Sequence, residues 1–382
     1  MTAQERRTTL LLSSIYAFRM LGLFMILPIM SLYATSLKGA TPFLIGLSLG
    51  VYGLTQAVLQ IPFGMISDRI GRKPVIVFGL ILFLLGSVEA ALSHTMMGII
   101  WGRALQGAGA IGSTLTAFVA DSTEEKNRLK AMSLIGMTIG SSFIIAMVLG
   151  PILNGIVGLS GIFWLTAALA LMGIGFLCFI PTPKHHDPHP DCEPVSGQFK
   201  KVLMNPDLLR LDFGIFAQHA ILTALFIAIP LLLVNQMGLT ADHQWKVYLP
   251  VLLLSFIAMV PFIIAAEKKG KMTLIFRGAI ALIALVAFAF WLFPNTLFFI
   301  SVLLFLFFTA FTFLEAAFPS LISKKAPKAN KGTAMGIYSS AQFLGILAGG
   351  TLGGFFFHHF GLSGVFLFCA SLGGVSLLIA LK

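Results

Sequence analysis

The chain has 382 residues, of which 58% are hydrophobic and only 10% are charged. Soluble domains carry about 25% charged residues, so this chain has too few charged side chains to cover the surface of a soluble protein. Its high hydrophobic content also excludes intrinsic disorder. It is therefore an integral membrane protein, and its continuous rather than alternating apolar runs favour helices over a barrel. Its three cysteines predict no disulfide framework, and no cleavable signal peptide is evident.

The apolar runs predict the helices. One spanning helix needs about 20 apolar residues, so the chain has room for about twelve. The predicted spans are 9–37, 43–66, 74–93, 96–120, 131–158, 160–181, 206–238, 243–266, 272–291, 294–322, 331–359 and 361–381. Several connections are very short, so the helices that they join are antiparallel. The fold class predicted is an all-α membrane protein with twelve transmembrane helices.

The basic residues indicate the orientation. Connections from odd-numbered to even-numbered spans carry only Lys38 and Lys246, whereas the termini and the other connections carry nearly all the remaining Lys and Arg. Cytoplasmic loops are enriched in Lys and Arg. We therefore expect both termini in the cytoplasm. The net charge of +11 is then a topology signal, and we expect no nucleic-acid partner.

The longest polar stretch, 182–205, is rich in Pro and His and divides the chain into an N-terminal bundle, 1–181, and a C-terminal bundle, 206–382. Potential metal ligands lie within it: His185, His186, His189 and Cys192. Their spacing matches no zinc pattern. We therefore predict a flexible cytoplasmic linker and no metal site.

The two halves share an internal repeat. Landmarks recur after about 200 residues. The pairs are Pro28 and Pro230, Pro62-Phe63 and Pro261-Phe262, Asp68 and Glu267, Ala131-Met132 and Ala334-Met335, and Gly150 and Gly353. Two parallel six-helix repeats are one of the architectures built for alternating access.

The loop between spans two and three carries the most specific motif. Its fixed positions are Gly64, Asp68, Arg69, Gly71, Arg72 and Lys73. The loop resembles, at every fixed position, the signature loop of the major facilitator superfamily. That resemblance implies two pseudo-symmetric six-helix bundles.

Two further motifs support the resemblance. Span four carries Arg103-x-x-Gln106-Gly107-x-Gly109, which is similar to a second motif of the superfamily. Gly150-Pro151 in span five partly matches the antiporter motif of the proton-coupled drug exporters. The chain most resembles the twelve-helix bacterial branch of those exporters, and this resemblance implies that the membrane is a bacterial inner membrane.

The signature loop also has a physical interpretation. Gly64 and Gly71 permit close helix approach and a tight turn, and Arg69 and Arg72 fit the cytoplasmic excess of positive charge. That excess does not explain Asp68.

A carboxylate is favourable opposite a helix N-terminus, and span eleven begins near Gly332 on the same side as Asp68. Asp121, at the end of span four, offers Arg72 a partner. We hypothesise that these contacts form a latch that joins the halves in the outward-open state. The alternative is a solvated loop carboxylate.

Five ionisable side chains fall inside the predicted spans, where such groups are costly and usually face a cavity. They are Arg19, Glu89, Arg103, His219 and Glu315. Arg19 lies about 18 Å along its helix from Arg7, near the bilayer middle. It is a candidate for substrate binding or coupling, or for a structural tie to helix carbonyls.

Glu89 and Arg103 flank one short turn at similar depth, so a structural ion pair is one interpretation. A transport role for Arg103, with Gln106 on nearly the same face, is the other. Glu315 lies about 13 Å from the helix end, where a carboxyl group is a plausible proton carrier. His219 lies at similar depth and titrates near neutral pH. The alternatives are a neutral Glu bonded to a neighbouring helix and a packing His.

Two further sets of side chains have a helical pattern. A polar side chain recurs every four residues of span two, at Tyr52, Gln56 and Gln60. We expect this stripe either to line a cavity or to join helices through hydrogen bonds. The Phe residues of spans nine and ten are expected to face lipid: Phe298, Phe299, Phe305, Phe307 and Phe308.

The function expected is proton-coupled export of drugs or other small organic compounds by alternating access. We expect no enzymatic activity and no cofactor, with the proton as coupling ion. The partners expected are a small-molecule substrate and the lipid bilayer, with the protein as a monomer. A sugar or small-metabolite facilitator or symporter is one alternative, and a non-transporting membrane sensor or scaffold is another.

Overall fold

The computed structural model describes residues 1–181, 202–292, 296–327 and 331–382. The linker histidines and Cys192 lie outside these residues. The described residues are mostly helical and contain no strand beyond an isolated bridge between Lys38 and Thr95. The predicted all-α membrane fold is therefore confirmed.

The helices are numbered in chain order. They are α1 (Ala3–Phe24), α2 (Leu27–Tyr33), α3 (Pro42–Ile70), α4 (Arg72–Leu92), α5 (Met96–Ala108), α6 (Gly112–Asp121), α7 (Glu125–Cys178), α8 (Pro206–Asn235), α9 (Trp245–Lys268), α10 (Met272–Leu292), α11 (Leu297–Lys325) and α12 (Lys331–Leu381). Short 3₁₀ turns lie at Ala34–Ser36 and Ala241–His243.

Helices α7 and α12 are too long for one crossing. They have 54 and 51 residues, so each would extend about 75–80 Å if straight, against a hydrocarbon core of about 30 Å. Gly158 and Gly361 interrupt them with φ of +68° and +62°, which glycine adopts readily. The chain reverses at Gly361, since the rings of Phe356 and Phe368 lie 5.2 Å apart. Nine segments of the described chain are long and apolar enough to cross a membrane. Two of them, α7 and α12, are each long enough for two spans, and α5 together with α6 forms one more. The structure is therefore consistent with twelve spans.

Spans one and four are each interrupted in the middle, a feature that the predicted span bounds did not include. Helix α1 ends at Phe24, and α2 begins at Leu27 with Pro28 in its first turn. Proline has no N–H with which to continue the preceding ladder of hydrogen bonds. The break between α5 and α6 follows Gly109, where a Cβ would collide with the Gly79 carbonyl oxygen.

Helices α3 and α12 form a close seam between the two halves of the chain. A Cβ at Gly350 would lie 2.7 Å from the Gly50 backbone nitrogen. Small residues let helix backbones approach this closely within a membrane. Farther along the seam, the Ser340 hydroxyl donates to the Ala57 carbonyl oxygen at 3.1 Å.

The halves also touch at the end of the bundle that carries Lys38 and Asp242, which we call the opposite face. There the Ser31 hydroxyl donates to the Phe226 carbonyl oxygen at 3.4 Å. A Cβ at Gly155 would lie 3.1 Å from the Cβ of Asp242. The other end, which we call the basic face, carries Arg72, Lys325 and both ends of the chain. The bundle boundaries at 181 and 206 and the cytoplasmic position of the basic face stay predictions.

Candidate functional site

Arg19 anchors a polar cluster in the first half of the chain. Its side chain is buried in α1 and donates to Gln56 Oε1 on α3. The Gln56 amide in turn donates to Gln60 Oε1 at 3.0 Å. Among the described residues, Arg19 Nε and Nη1 have no hydrogen-bond partner. This cluster therefore presents donors that suit the acceptor atoms of a ligand.

Arg103 lies in a second buried cluster of the same half. It donates to Gln106 Oε1 at 2.9 Å and to the Ser48 carbonyl oxygen at 3.4 Å. Its guanidinium lies 4.8 Å from the centre of the Tyr52 ring, a cation–π arrangement. The Gln106 amide donates to the Ser87 hydroxyl at 2.8 Å. These contacts join α5 to α3 and α4, so they support the packing of this half.

Glu315 of α11 is the acidic group of a cluster in the second half. Its Oε1 accepts a hydrogen bond from the Gln218 amide at 3.2 Å and lies 3.4 Å from His219 Nε2. The Gln342 amide nitrogen of α12 lies 2.9 Å from the same imidazole nitrogen. Three helices therefore converge on one carboxyl group and one imidazole.

The imidazole geometry suits proton exchange. His219 Nδ1 lies 3.3 Å from the Ile215 carbonyl oxygen, an acceptor that holds a proton on Nδ1. In neutral His219, Nε2 then accepts from the Gln342 amide. Protonation of Nε2 creates a donor toward Glu315, so His219 and Glu315 can share one added proton.

The α3–α12 seam joins the Arg19 and Glu315 clusters. Gln56 is next to Ala57, whose carbonyl oxygen accepts from Ser340, and Gln342 lies two residues beyond Ser340. The two clusters therefore contact neighbouring turns of the same seam, one from each half of the chain.

Four further residues near this cluster were not predicted from the sequence: Asp212, Gln218, Tyr338 and Gln342. Asp212 is buried in α8, and its Oδ1 has no hydrogen-bond partner among the described residues. Tyr338 of α12 lies close enough to interact electrostatically with both Asp212 and Glu315. Asp212 precedes His219 by seven residues, two helical turns on one face, and this spacing was the available signal.

Aromatic rings connect the two halves beside the Glu315 cluster. The Phe143 ring of α7 lies 5.0 Å from Phe24 and 5.9 Å from Phe308. Phe311 lies 5.6 Å from the His219 ring. The expectation that the Phe residues of span ten face lipid is wrong for Phe307 and Phe308, which are buried, although Phe298 is 79% exposed. Phe308, Phe311 and Glu315 share one inward face of α11 because of their three- and four-residue spacing.

Glu89 lies apart from both clusters. It is exposed on α4, on the face that also exposes Leu85 and Leu92. The interpretation of a Glu89–Arg103 ion pair is wrong: Arg103 lies at comparable depth but points toward α3, where Ser48 and Tyr52 contact it.

The signature loop contains the predicted contact between Arg72 and Asp121. Arg72 is buried, and its Nε donates to Asp121 Oδ2 at 2.9 Å. Arg72 also pairs with Asp68 and donates to the Ser67 hydroxyl at 2.7 Å. The contact of Asp68 given by the structure is therefore with Arg72, and not with the start of α12 near Gly332.

The other loop residues have distinct positions. Gly71 has φ of +96°, which favours glycine, and allows α4 to begin directly after α3. A Cβ at Gly64 would lie 3.4 Å from the Ser113 hydroxyl oxygen. Arg69 is exposed.

The Gly150-Pro151 motif packs against the break in span one. A Cβ at Gly150 would lie 2.6 Å from the Met25 carbonyl oxygen, between α1 and α2. Pro151 follows inside α7. The absence of a side chain at Gly150 therefore allows α7 to approach the point where the first span is interrupted.

Comparison with known proteins identifies the family. The profile of the Major Facilitator Superfamily matches residues 12–350. The chain belongs to the Major Facilitator Superfamily. Members of this superfamily are transporters and not enzymes.

Curated relatives agree with this family. The inner membrane transport protein YajR of Escherichia coli (strain K12) is 48% identical over 381 residues, which cover 100% of this chain and 84% of YajR. The multidrug resistance protein MdtH of Aeromonas salmonicida (strain A449) is 26% identical over 351 residues, covering 87% of this chain and 83% of MdtH. The superfamily, the apolar helices and the YajR match together support a multi-pass inner membrane transporter.

Solved structures share the fold. A bacterial homologue of the human lysosomal transporter Spinster aligns with a TM-score of 0.76 at 14% identity, covering 100% of this chain and 97% of that chain. The nucleoside transporter NupG aligns with a TM-score of 0.76 at 13% identity, covering 98% of each chain. At this identity the likeness concerns the superfamily fold alone.

Proposed function

We propose that this superfamily transporter exports small organic compounds, drugs among them, in exchange for protons. The observation that carries the proposal is the pair of polar clusters joined by the α3–α12 seam. One contains the cation Arg19 with Gln56, and the other contains Glu315 with His219. Ionisable groups within a membrane bundle are expensive to bury and usually serve transport or proton transfer.

The proton-binding unit that we propose is the pair of Glu315 and His219. Its contact of 3.4 Å allows one added proton to be shared between carboxylate and imidazole. The added proton makes the charge of the Glu315–His219 pair more positive by one. A ligand shifts a conformational equilibrium only as far as its affinities for the two conformations differ. The proton must therefore bind more tightly to one of the outward-open and inward-open states than to the other.

The proposed substrate site lies between the two clusters. The unpartnered Arg19 nitrogens supply donors for an acceptor or anionic group. The rings of Phe143, Phe308 and Phe311 supply an apolar wall. This combination suits small amphipathic molecules, in keeping with the multidrug resistance name of the distant relative MdtH.

The signature loop is proposed to act as the conformational latch. Arg72 holds Asp68 and Asp121 together within the first half in this structure. We propose that Asp68 exchanges this contact for the start of α12 when the protein opens outward. The protein functions as a monomer in this scheme, with the proton as coupling ion and no other cofactor.

The test uses purified protein in proteoliposomes that contain a pH-sensitive dye. Ethidium and carboxyfluorescein are added as a cationic and an anionic probe, and proton movement is recorded with wild type, Glu315→Gln and Glu89→Gln. The two variants carry the same chemical change, but Glu89 lies outside both clusters. We expect probe-induced proton movement to be lost only in Glu315→Gln. Probe flux without proton movement in the wild type would contradict the coupling and favour a facilitator.

A further inference from the structure

A cavity of about 240 Å³ lies on the basic face, away from the two polar clusters. It lies between the beginning of α8, the beginning of α10 and the ends of α11 and α12. None of its lining residues within the described part of the chain belongs to the Arg19 or Glu315 cluster. The proposed transport function therefore does not account for this cavity.

The cavity has an excess of positive charge. Asp207 is the one acidic side chain among its described lining residues, against four basic residues: Arg210, Arg277, Lys325 and Lys382. Asp207 lies 3.2 Å from Lys325 and 3.9 Å from Arg210, so a single carboxylate neutralises only part of the charge of these two cations. Arg277 donates to the carbonyl oxygens of Ala380 and Leu381, neutral acceptors that leave its charge uncompensated. The charges and the concave shape therefore suit an anion.

The inner wall of the cavity is apolar. Leu211, Phe276, Ile280 and Phe318 line it and are buried. Phe276 and Phe318 pack edge to face, with ring centres 5.1 Å apart. A free inorganic anion makes no use of such a wall, whereas a molecule with a charged head and a hydrocarbon chain uses both parts.

We propose that this cavity binds the phosphate headgroup of an anionic phospholipid, with an acyl chain along the Phe276–Phe318 wall. Basic pockets between transmembrane helices at the membrane surface are suited to anionic headgroups. Arg210 and Arg277 provide planar donor groups that match phosphate oxygens, and Lys325 adds a point charge. This lipid is a bound component of the transporter and is distinct from the transported substrate.

The test measures lipid binding by the full chain. Protein reconstituted in phosphatidylcholine nanodiscs is titrated with fluorescent phosphatidylglycerol, for wild type, Arg210→Gln/Lys325→Gln and the control Lys268→Gln/Lys269→Gln. Both double variants remove two positive charges from the same face, but Lys268 and Lys269 are exposed outside the cavity lining. Each basic residue that contacts the anionic headgroup contributes about fivefold to binding, so the cavity variant is expected to bind about thirtyfold more weakly. The control residues do not contact the cavity, so the control is expected to bind nearly as wild type.

A neutral variant separates folding from binding. Thr273→Trp places a large ring at an exposed position of the cavity lining without a change in charge, and it should also abolish the high-affinity binding. Thermal unfolding in phosphatidylcholine shows whether each variant is folded. Equal phosphatidylglycerol affinity in the wild type and both cavity variants would overturn the proposal. Displacement of the lipid by millimolar inorganic phosphate alone would overturn its lipid part and indicate a free-anion site. Ethidium-dependent proton movement, measured in parallel, tests the transport proposal separately.

Discussion

The α3–α12 seam gives a direct test of how the two halves move. We consider Gly350→Ala, which adds one methyl group at the closest part of the seam. The new Cβ would collide with the Gly46 carbonyl oxygen and lie 2.7 Å from the Gly50 nitrogen, whereas ordinary contacts begin near 3.4 Å. The helices must therefore separate by at least about 0.7 Å or lose contact, and overpacking of this kind costs about 1–3 kcal/mol.

This cost falls on the state in which the halves touch at the opposite face. A free-energy change of about 1–3 kcal/mol shifts a two-state population by about five- to 150-fold. The expected result is a larger fraction of molecules open at that face. Ser31→Cys reports this opening, since Ser31 is buried there against the Phe226 carbonyl oxygen.

The assay is the labelling rate of Ser31→Cys by a membrane-impermeant thiol reagent, in a background without native cysteines. Gly278→Ala is the matched control, since a Cβ there would meet no atom within 4 Å. Gly350→Ala should label faster than the parent protein, and Gly278→Ala should label at the parent rate. Equal rates in all three proteins, with folding verified by thermal unfolding, would refute this account of the seam.

Two other substitutions test the buried arginines. Asp121→Asn removes one of the two carboxylates that contact Arg72, and it should lower stability by about 1–3 kcal/mol because hydrogen bonds to buried charges are strong. Thermal unfolding measures this loss against exposed Glu125→Gln, and an equal melting temperature in the two variants would contradict it. Arg103→Lys should also destabilise the protein, because lysine cannot reproduce the planar contacts with Gln106 and the Tyr52 ring. Unchanged unfolding of Arg103→Lys would show that these contacts contribute little.

Much of the architecture is encoded in hydropathy, which the sequence alone reveals. The apolar runs and the placement of Lys and Arg predict the helices and their antiparallel order. The breaks after Phe24 and Gly109 were not predicted, although Pro28 is a local signal for the first. A neighbouring helix also packs at each interruption, and the sequence does not show that contact. Gly150 contacts the first break and Gly79 the second.

The candidate site was predicted in part. Arg19, His219 and Glu315 were identified because they lie far from the ends of their helices. Burial of a charged group within a membrane is costly, so such a position indicates a function. Depth does not give the direction of a side chain, so Glu89 was grouped with Arg103 although it lies on a face that exposes leucines. Neutral partners such as Gln218 are recognised only when the helices are assembled.

Alternation of the two halves is tested most directly by joining them at the opposite face. A Cβ at Gly155 would lie 3.1 Å from the Cβ of Asp242, whereas the two Cβ atoms of a disulfide lie about 3.5–4.5 Å apart. A small outward shift therefore gives disulfide geometry, and Gly155→Cys/Asp242→Cys should crosslink on mild oxidation. The experiment uses protein whose Cys178, Cys192 and Cys369 are replaced, with each single variant as a control. We predict that oxidation stops ethidium-dependent proton movement and that reduction restores it. Full transport by the crosslinked protein would contradict alternating access.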